Sequence, residues 1–169
     1  VGSFRTYVYT GNQGLSMEAW FDGLTRGRAM VSSGPILEME VGNALPGDTV
    51  QLPASGGSVS VSGRLRSITE LDDVALYCNG DEVERFPIRG NGTSLEINYE
   101  LRIENSGWCH LRTEGDPDQR DVLDVAYAQA FTNPVWFQVG DQPIQDTESA
   151  NYALQWIDKL QELAEAWPG

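Results

Sequence analysis

The sequence predicts a mainly β protein, an immunoglobulin-like β-sandwich with a short N-terminal helix and a longer C-terminal helix. Three observations lead there. From residue 28 to residue 139 the chain breaks into short runs of alternating apolar and polar residues, with turn signals roughly every 8–12 residues, the spacing of a sandwich. Two segments outside this region, 17–25 and 148–166, carry apolar residues at helical spacing instead. With 169 residues, 40% hydrophobic and 21% charged, the composition suits one domain, residues 1–169, with a full core.

Taken in order, residues 4–9 read as a first strand in which Phe4, Tyr7 and Tyr9 alternate imperfectly. Ser16 is a suitable N-cap for the helix that follows. Met17, Trp20, Phe21 and Leu24 then share one face, and Gly27 is a natural stop. Residues 28–33 and 36–41 are strands broken at Gly34-Pro35, because proline cannot donate to a ladder. Pro46-Gly47-Asp48 is a turn. Val59, Val61, Gly63 and Leu65 alternate with serines and Arg64. Residues 74–78 and 83–88 are the arms of a hairpin about Asn79-Gly80, a pair suited to the positive dihedrals of a tight turn. After a turn at Arg89-Gly90-Asn91-Gly92, residues 94–103 alternate through Leu95, Ile97, Tyr99 and Leu101. Strands over 107–112, 122–130 and 135–139 complete the set, with an acidic loop, 114–121, after the first. Asn133-Pro134 imposes an extended residue before the proline, so the strand ending at Phe131 must turn. The closing helix, 146–167, places Ala153, Trp156, Ile157, Leu160, Leu163 and Ala164 at helical spacing, with Ser149 or Thr147 as its cap.

Charge excludes whole classes of partner. Twenty-five acids against eleven bases, with Lys159 the only lysine, give a net charge of −14. A duplex-binding surface needs a basic stripe to release counterions, so nucleic acid is not an expected partner. An anionic membrane is excluded on the same ground, and no apolar run approaches the roughly 20 residues of a span. The chain opens on Val1 without a signal peptide, which gives the expectation of a domain cut from a longer protein. Its compartment stays open between bacterial cytoplasm and secretion.

The chemistry-bearing residues are few. A structural zinc site takes four Cys or His ligands, and only Cys78, Cys109 and His110 exist. Any nucleophilic relay must run through His110. Cys109 and His110 are strand neighbours and point to opposite faces, so they cannot form a dyad. Two buried thiols at Cys78 and Cys109 are favoured over a cross-strand disulfide, which stays geometrically conceivable. The loop from Glu114 to Asp121 gathers carboxylates as a calcium site does. It lacks an EF-hand's turn glycine and closing glutamate, and Arg120 sits among the acids, so a solvated loop is the better reading. Asn91-Gly92-Thr93 matches a glycosylation acceptor but lies where a turn wants Asn-Gly anyway. Of the five tryptophans, Trp20 and Trp156 fall on apolar helix faces and are expected in the core. Trp108 and Trp136 lie on strands of undetermined facing, where aromatic rings can stack on sugars. Arg28 and Arg112, mid-strand in an acidic chain, are expected to pair with carboxylates or, facing a cleft, to hold an anionic group.

Four stretches occur in a telling order: Arg5-Thr6-Tyr7-Val8-Tyr9; Ala19-Trp20 through Leu24 with Arg26-Gly27-Arg28; Val31-Ser32-Ser33-Gly34-Pro35-Ile36-Leu37; and Phe131-Thr132-Asn133-Pro134-Val135. Pro46-Gly47-Asp48, Asn79-Gly80, Trp108 and Arg112 stand between them. Over nearly the whole chain this order resembles the C-terminal β-sandwich region of CehA/McbA-type metallohydrolases of the PHP superfamily. The resemblance implies that the metal-binding catalytic part lies upstream and that this chain carries no catalytic residue, metal or cofactor. It also implies a histidine just before Thr-Asn-Pro, where this chain has Phe131. The expected function is therefore a non-catalytic accessory domain that packs on an upstream catalytic domain and helps to complete its substrate cleft. Arg28, Arg112, Trp108, Thr132 and Asn133 are the candidates for substrate-binding or interdomain contact. The alternative is a free-standing module that binds a sugar or other small molecule, and a weaker third reading is a small hydrolase using His110.

Overall fold

The computed structural model describes residues 4–12, 14–118 and 127–167. Among these residues, eleven strands form two sheets. The smaller is antiparallel, in the order β3 (Ile36–Val41), β5 (Gly57–Arg66), β8 (Ser94–Ile103). In the larger, β7 (Asp81–Pro87) pairs with β6 (Asp73–Cys78), and β6 with β9 (Gly107–Glu114). The far edge of β9 is shared end to end by β10 (Gln129–Thr132) and β11 (Val135–Val139). Beyond β10 lie β2 (Ala29–Ser32) and β1 (Arg5–Val8), whereas β4 (Thr49–Leu52) runs parallel to β11. With β5 central in one sheet and β9 central in the other, β3-β5-β8 and β6-β9-β11 follow the A-B-E and C-F-G connectivity of the immunoglobulin fold.

Alternation along the strands builds the core. Leu37, Met39, Val41, Val61, Leu65, Ile97 and Leu101 on the small sheet face Val74, Leu76, Leu111, Val135, Phe137 and Val139 on the large one, all buried. Each such side chain contributes about 1.5–3 kcal/mol on leaving water. Gly63 occupies an inward position on β5, where a Cβ would stand 2.6 Å from Leu111 Cδ1. Its lack of a side chain makes room for that leucine from the opposite sheet. The β6–β7 hairpin turns at Asn79 and Gly80 with φ of 53° and 96°, the positive pair that matches strand twist.

Three segments that stand apart in sequence meet at one junction. Asn133 N–H donates to the Ala29 carbonyl (2.9 Å), and its side-chain amide donates to the Gly27 carbonyl (3.0 Å). Gly47 N–H donates to the Pro134 carbonyl (2.8 Å), and Trp136 N–H to the Asp48 carbonyl (2.9 Å). Gly47 adopts a φ of 92°, and a Cβ there would sit 1.8 Å from the Arg26 carbonyl oxygen. Only glycine allows the two turns to touch.

The helices differ from expectation. α1 (Met17–Thr25) is capped as predicted, with Ser16 Oγ accepting from Ala19 N–H at 3.1 Å. It does not bury its apolar stripe: Ala19 and Gly23 face inward, Trp20 is half-buried, and Met17 and Phe21 are exposed. A Cβ on Gly23 would lie 2.6 Å from Val8 Cγ1 and 2.7 Å from the Tyr9 carbonyl oxygen, so the small residue sets the approach of helix to strand. α2 (Thr147–Ala166) buries no residue, and Trp156, expected in the core, is 53% exposed. Its cap is Asp146, whose carboxylate accepts from the Glu148 and Ser149 N–H groups, rather than Ser149 or Thr147. Among the described residues, no helix is long and apolar enough to cross a membrane. Among the strands, β4 escaped prediction because Thr49-Val50-Gln51-Leu52 is too short to show a period. β9 runs on to Glu114, so the acidic loop begins inside a strand. The strand expected over 122–130 is observed as Gln129–Thr132, and residues 119–126 of that prediction and of the acidic loop lie outside the described residues.

The Gly23 contact yields a test. Gly23→Ala gains about 1 kcal/mol of helix propensity, yet it is expected to lower stability by about 1–3 kcal/mol through overpacking against β1. Urea unfolding of the two proteins measures the sign.

Candidate functional site

The five candidate residues fall in three places. Asn133 belongs to the junction, with its amide donating to Gly27. Arg28 and Thr132 line a cleft of about 520 Å³ bounded by β1, β3, β5 and β8. There Arg28 Nη2 holds both oxygens of Asp48, at 2.9 and 3.2 Å, so the expected carboxylate pairing is present. Asp48 also accepts from Leu45 N–H at 3.0 Å. Thr132 is buried, and its hydroxyl accepts from Leu111 N–H (3.1 Å) and donates to Met39 Sδ. These groups are committed to holding the fold together. Arg64 at the cleft rim bridges Glu96 (2.8 Å) and Glu38 (3.8 Å), which neutralises much of its charge.

Trp108 and Arg112 lie instead on the outer face of the large sheet, where alternate residues of β9 emerge. Trp136 on β11 stands opposite Trp108 in register, and side chains so paired share a face. The rings of Trp108 and His110 are 5.6 Å apart, and those of His110 and Tyr77 5.7 Å. The Arg112 guanidinium lies 5.7 Å from the Tyr77 ring centre and 5.2 Å from that of Phe131, within cation–π range of both. The result is a band of contacts running Trp108, His110, Tyr77, Arg112, Phe131, with Trp136 across from Trp108 in register. Arg112 pairs with Glu114, and the Tyr77 hydroxyl donates to Glu82 at 3.1 Å. Burial first, then the Arg112 charge, pushes the His110 imidazole below its ordinary value of 6.5. Burial, followed by the bond to Glu82, raises the Tyr77 phenol. At neutral pH His110 is thus an uncharged donor and acceptor. Sequence reasoning listed Trp108 and Arg112 but missed Tyr77 and Trp136 as their neighbours. The missing signal was strand register, which no local pattern carries.

On the core side of the same strands, Cys78 and Cys109 are joined in a disulfide with Cα atoms 4.1 Å apart. They are direct partners across β6 and β9. This corrects the expectation of two free thiols, and it removes Cys78 as a nucleophile for His110. The soft-ligand set does not fit a transition metal: both cysteines are consumed, and His110 is flanked by rings. Among the described residues, no three His, Cys, Asp or Glu side chains converge on a point. Asn91, the glycosylation candidate, is exposed, and its side-chain oxygen accepts from Thr93 N–H at 3.3 Å, which ties it into the turn.

Two outcomes are expected. The native chain shows no thiol to an aromatic disulfide reagent, and reduction of the link, which spans a sequence separation of 31, costs about 3–4 kcal/mol in urea unfolding. The second concerns pH. Because folding depresses the His110 value, its contribution to stability is whole above the unfolded value near 6.5 and is lost as pH falls through the lower folded value. The urea midpoint of the native chain should fall between about pH 6.5 and 5, whereas that of His110→Gln stays level over this window, where carboxylates are still ionised.

No protein-family model and no curated protein matches the chain. Among solved structures it is similar to the solution NMR structure of a CARDB domain from Pyrococcus furiosus, at 14% identity over 62% of this chain and 95% of that one, with a TM-score of 0.39.

Proposed function

We propose that this chain is a non-catalytic accessory β-sandwich domain of a PHP-like metal-dependent hydrolase, docking on a catalytic domain that supplies the metal site. One observation carries the reading. Most of the apolar stripe of α1 is turned away from the sandwich: Met17 is 67% exposed, Phe21 53% and Leu24 38%, with Leu15 exposed just before the helix, while Trp20 is half-buried. An amphipathic helix normally buries its stripe, and contiguous exposed apolar surface marks an interaction site. The helix packs through Ala19 and Gly23, which leaves the stripe for a partner. The junction supports the same reading. The motifs that carry the resemblance, Arg26-Gly27-Arg28, Pro46-Gly47-Asp48 and Asn133-Pro134, converge there and hold α1 and β2 in place. The Cys78–Cys109 bond supports an exported protein, since disulfides persist in oxidising compartments.

The test begins with the coding sequence immediately upstream of Val1. The expected result is a segment rich in histidine and carboxylate metal ligands. Produced separately, that segment should form a one-to-one complex with this chain, and Phe21→Asp should weaken the complex tenfold or more. An upstream segment without such ligands, or one that ignores this chain, overturns the proposal.

A further inference from the structure

We propose that the outer face of the large sheet is a binding site for neutral oligosaccharides, with Trp108 and Trp136 stacking on pyranose rings and His110, Arg112 and Glu114 bonding their hydroxyls. The site shares no residue with the α1 docking face and does not depend on it.

The face has the two features such a ligand requires. A pyranose ring presents a C–H face that packs on an aromatic surface and an edge of hydroxyls that both donate and accept. Trp136 is 37% exposed, and Trp108 beside it is part-exposed. Indole rings give large contact area at small entropic cost. Trp108, His110 and Arg112 follow at every second residue of β9, so the row extends roughly 13 Å along the strand. That suits a short oligosaccharide better than a single sugar. The row lies on the outer face of a sheet, as an extended chain needs, whereas in the cleft at Arg28 the Thr132 hydroxyl is buried and its bonds are already made within the fold.

The polar groups match hydroxyls rather than ions. Arg112 and Glu114 are paired and each about a third exposed, at 36% and 35%, so donor and acceptor stand side by side without net charge. A vicinal diol can donate to the carboxylate and accept from the guanidinium. His110 is neutral at neutral pH and adds one donor and one acceptor. A chain of net charge −14 repels polyanions over a Debye length, which separates neutral glycans from uronate or sulfated ones. The rings on β6 and β9 are packed among neighbours. His110 lies between Trp108 and Tyr77, and Arg112 over Tyr77 and Phe131. The disulfide clamps β6 to β9 directly beneath. Little ordering is left for binding to impose.

The experiment titrates the whole chain with cellohexaose, xylohexaose, mannohexaose and laminarihexaose, and with polygalacturonate and heparin as anionic probes. Tryptophan emission and calorimetry follow binding. At least one neutral hexaose is expected to bind with a Kd of about 1 mM or tighter and to change the emission. Trp136→Ala, a surface change, and Trp108→Phe, which keeps an apolar ring on the strand, should each weaken it tenfold or more. Trp156→Ala on α2 should leave it unchanged. No response to any neutral hexaose overturns the proposal. So does tighter binding of an anionic probe, or affinity that survives Trp136→Ala.

Discussion

The break between β10 and β11 in the large sheet, at Asn133-Pro134, organises the molecule. Proline has no N–H and forces an extended neighbour. The strand following Ala128 therefore cannot continue beside β2 and is redirected to pair with β4. One continuous edge of β9 is thereby shared between two partners, and the backbone groups freed at the jog must be satisfied by other parts of the chain. They are: Asn133 N–H by Ala29, and the Pro134 carbonyl by Gly47. That requirement draws the end of α1, the start of β2 and the turn before β4 to one point, where Arg28 and Asp48 add a half-buried ion pair. Gly27 and Gly47 are needed because their backbones approach within contact distance.

This explains what could be read in the sequence and what could not. The alternating runs of β5 and β8, the Asn79-Gly80 turn, the Ser16 cap and the breaks at Gly34-Pro35 and Asn133-Pro134 are local effects, visible in a few residues each. The fold class followed from their sum. The pairing of strands is not local. Tyr77 meets His110, and Trp108 meets Trp136, only because β6, β9 and β11 adopt one particular register. The cysteine pair belongs to the same category. Alternation places Cys109 on the core face, but only register sets Cys78 opposite it. Of the named candidates, Thr132 and Asn133 have polar side chains whose structural bonds run to residues far away in sequence, Met39 and Gly27 among them.

The two helices mark a different boundary. Helical spacing of apolar residues says that a face is to be buried, not what buries it. For α1, Gly23 lets the helix sit against β1 by its small side, and the larger stripe is left outside. For α2, none of its side chains reaches the core, although Ala153, Trp156, Leu160, Leu163 and Trp167 keep a regular seam. Reading Trp156 as a core residue assumed that the chain's own sandwich was the partner.

The outer face of the large sheet separates structural from functional use of similar residues. A tryptophan inside a sandwich is held by packing alone; Trp108 lies against His110 within the sheet, and both it and Trp136 still meet solvent. The rigidity comes from below. The Cys78–Cys109 link and the buried row of Leu76, Leu111 and Val135 fix the spacing of β6, β9 and β11, and so fix the spacing of the rings above them. A surface with this support can keep aromatic groups exposed without collapse onto each other, at a cost in solvation that a folded domain tolerates only where few such groups are gathered. The same strand carries core contacts on one side and exposed rings on the other because its side chains alternate, and the period that builds the core also spaces the rings.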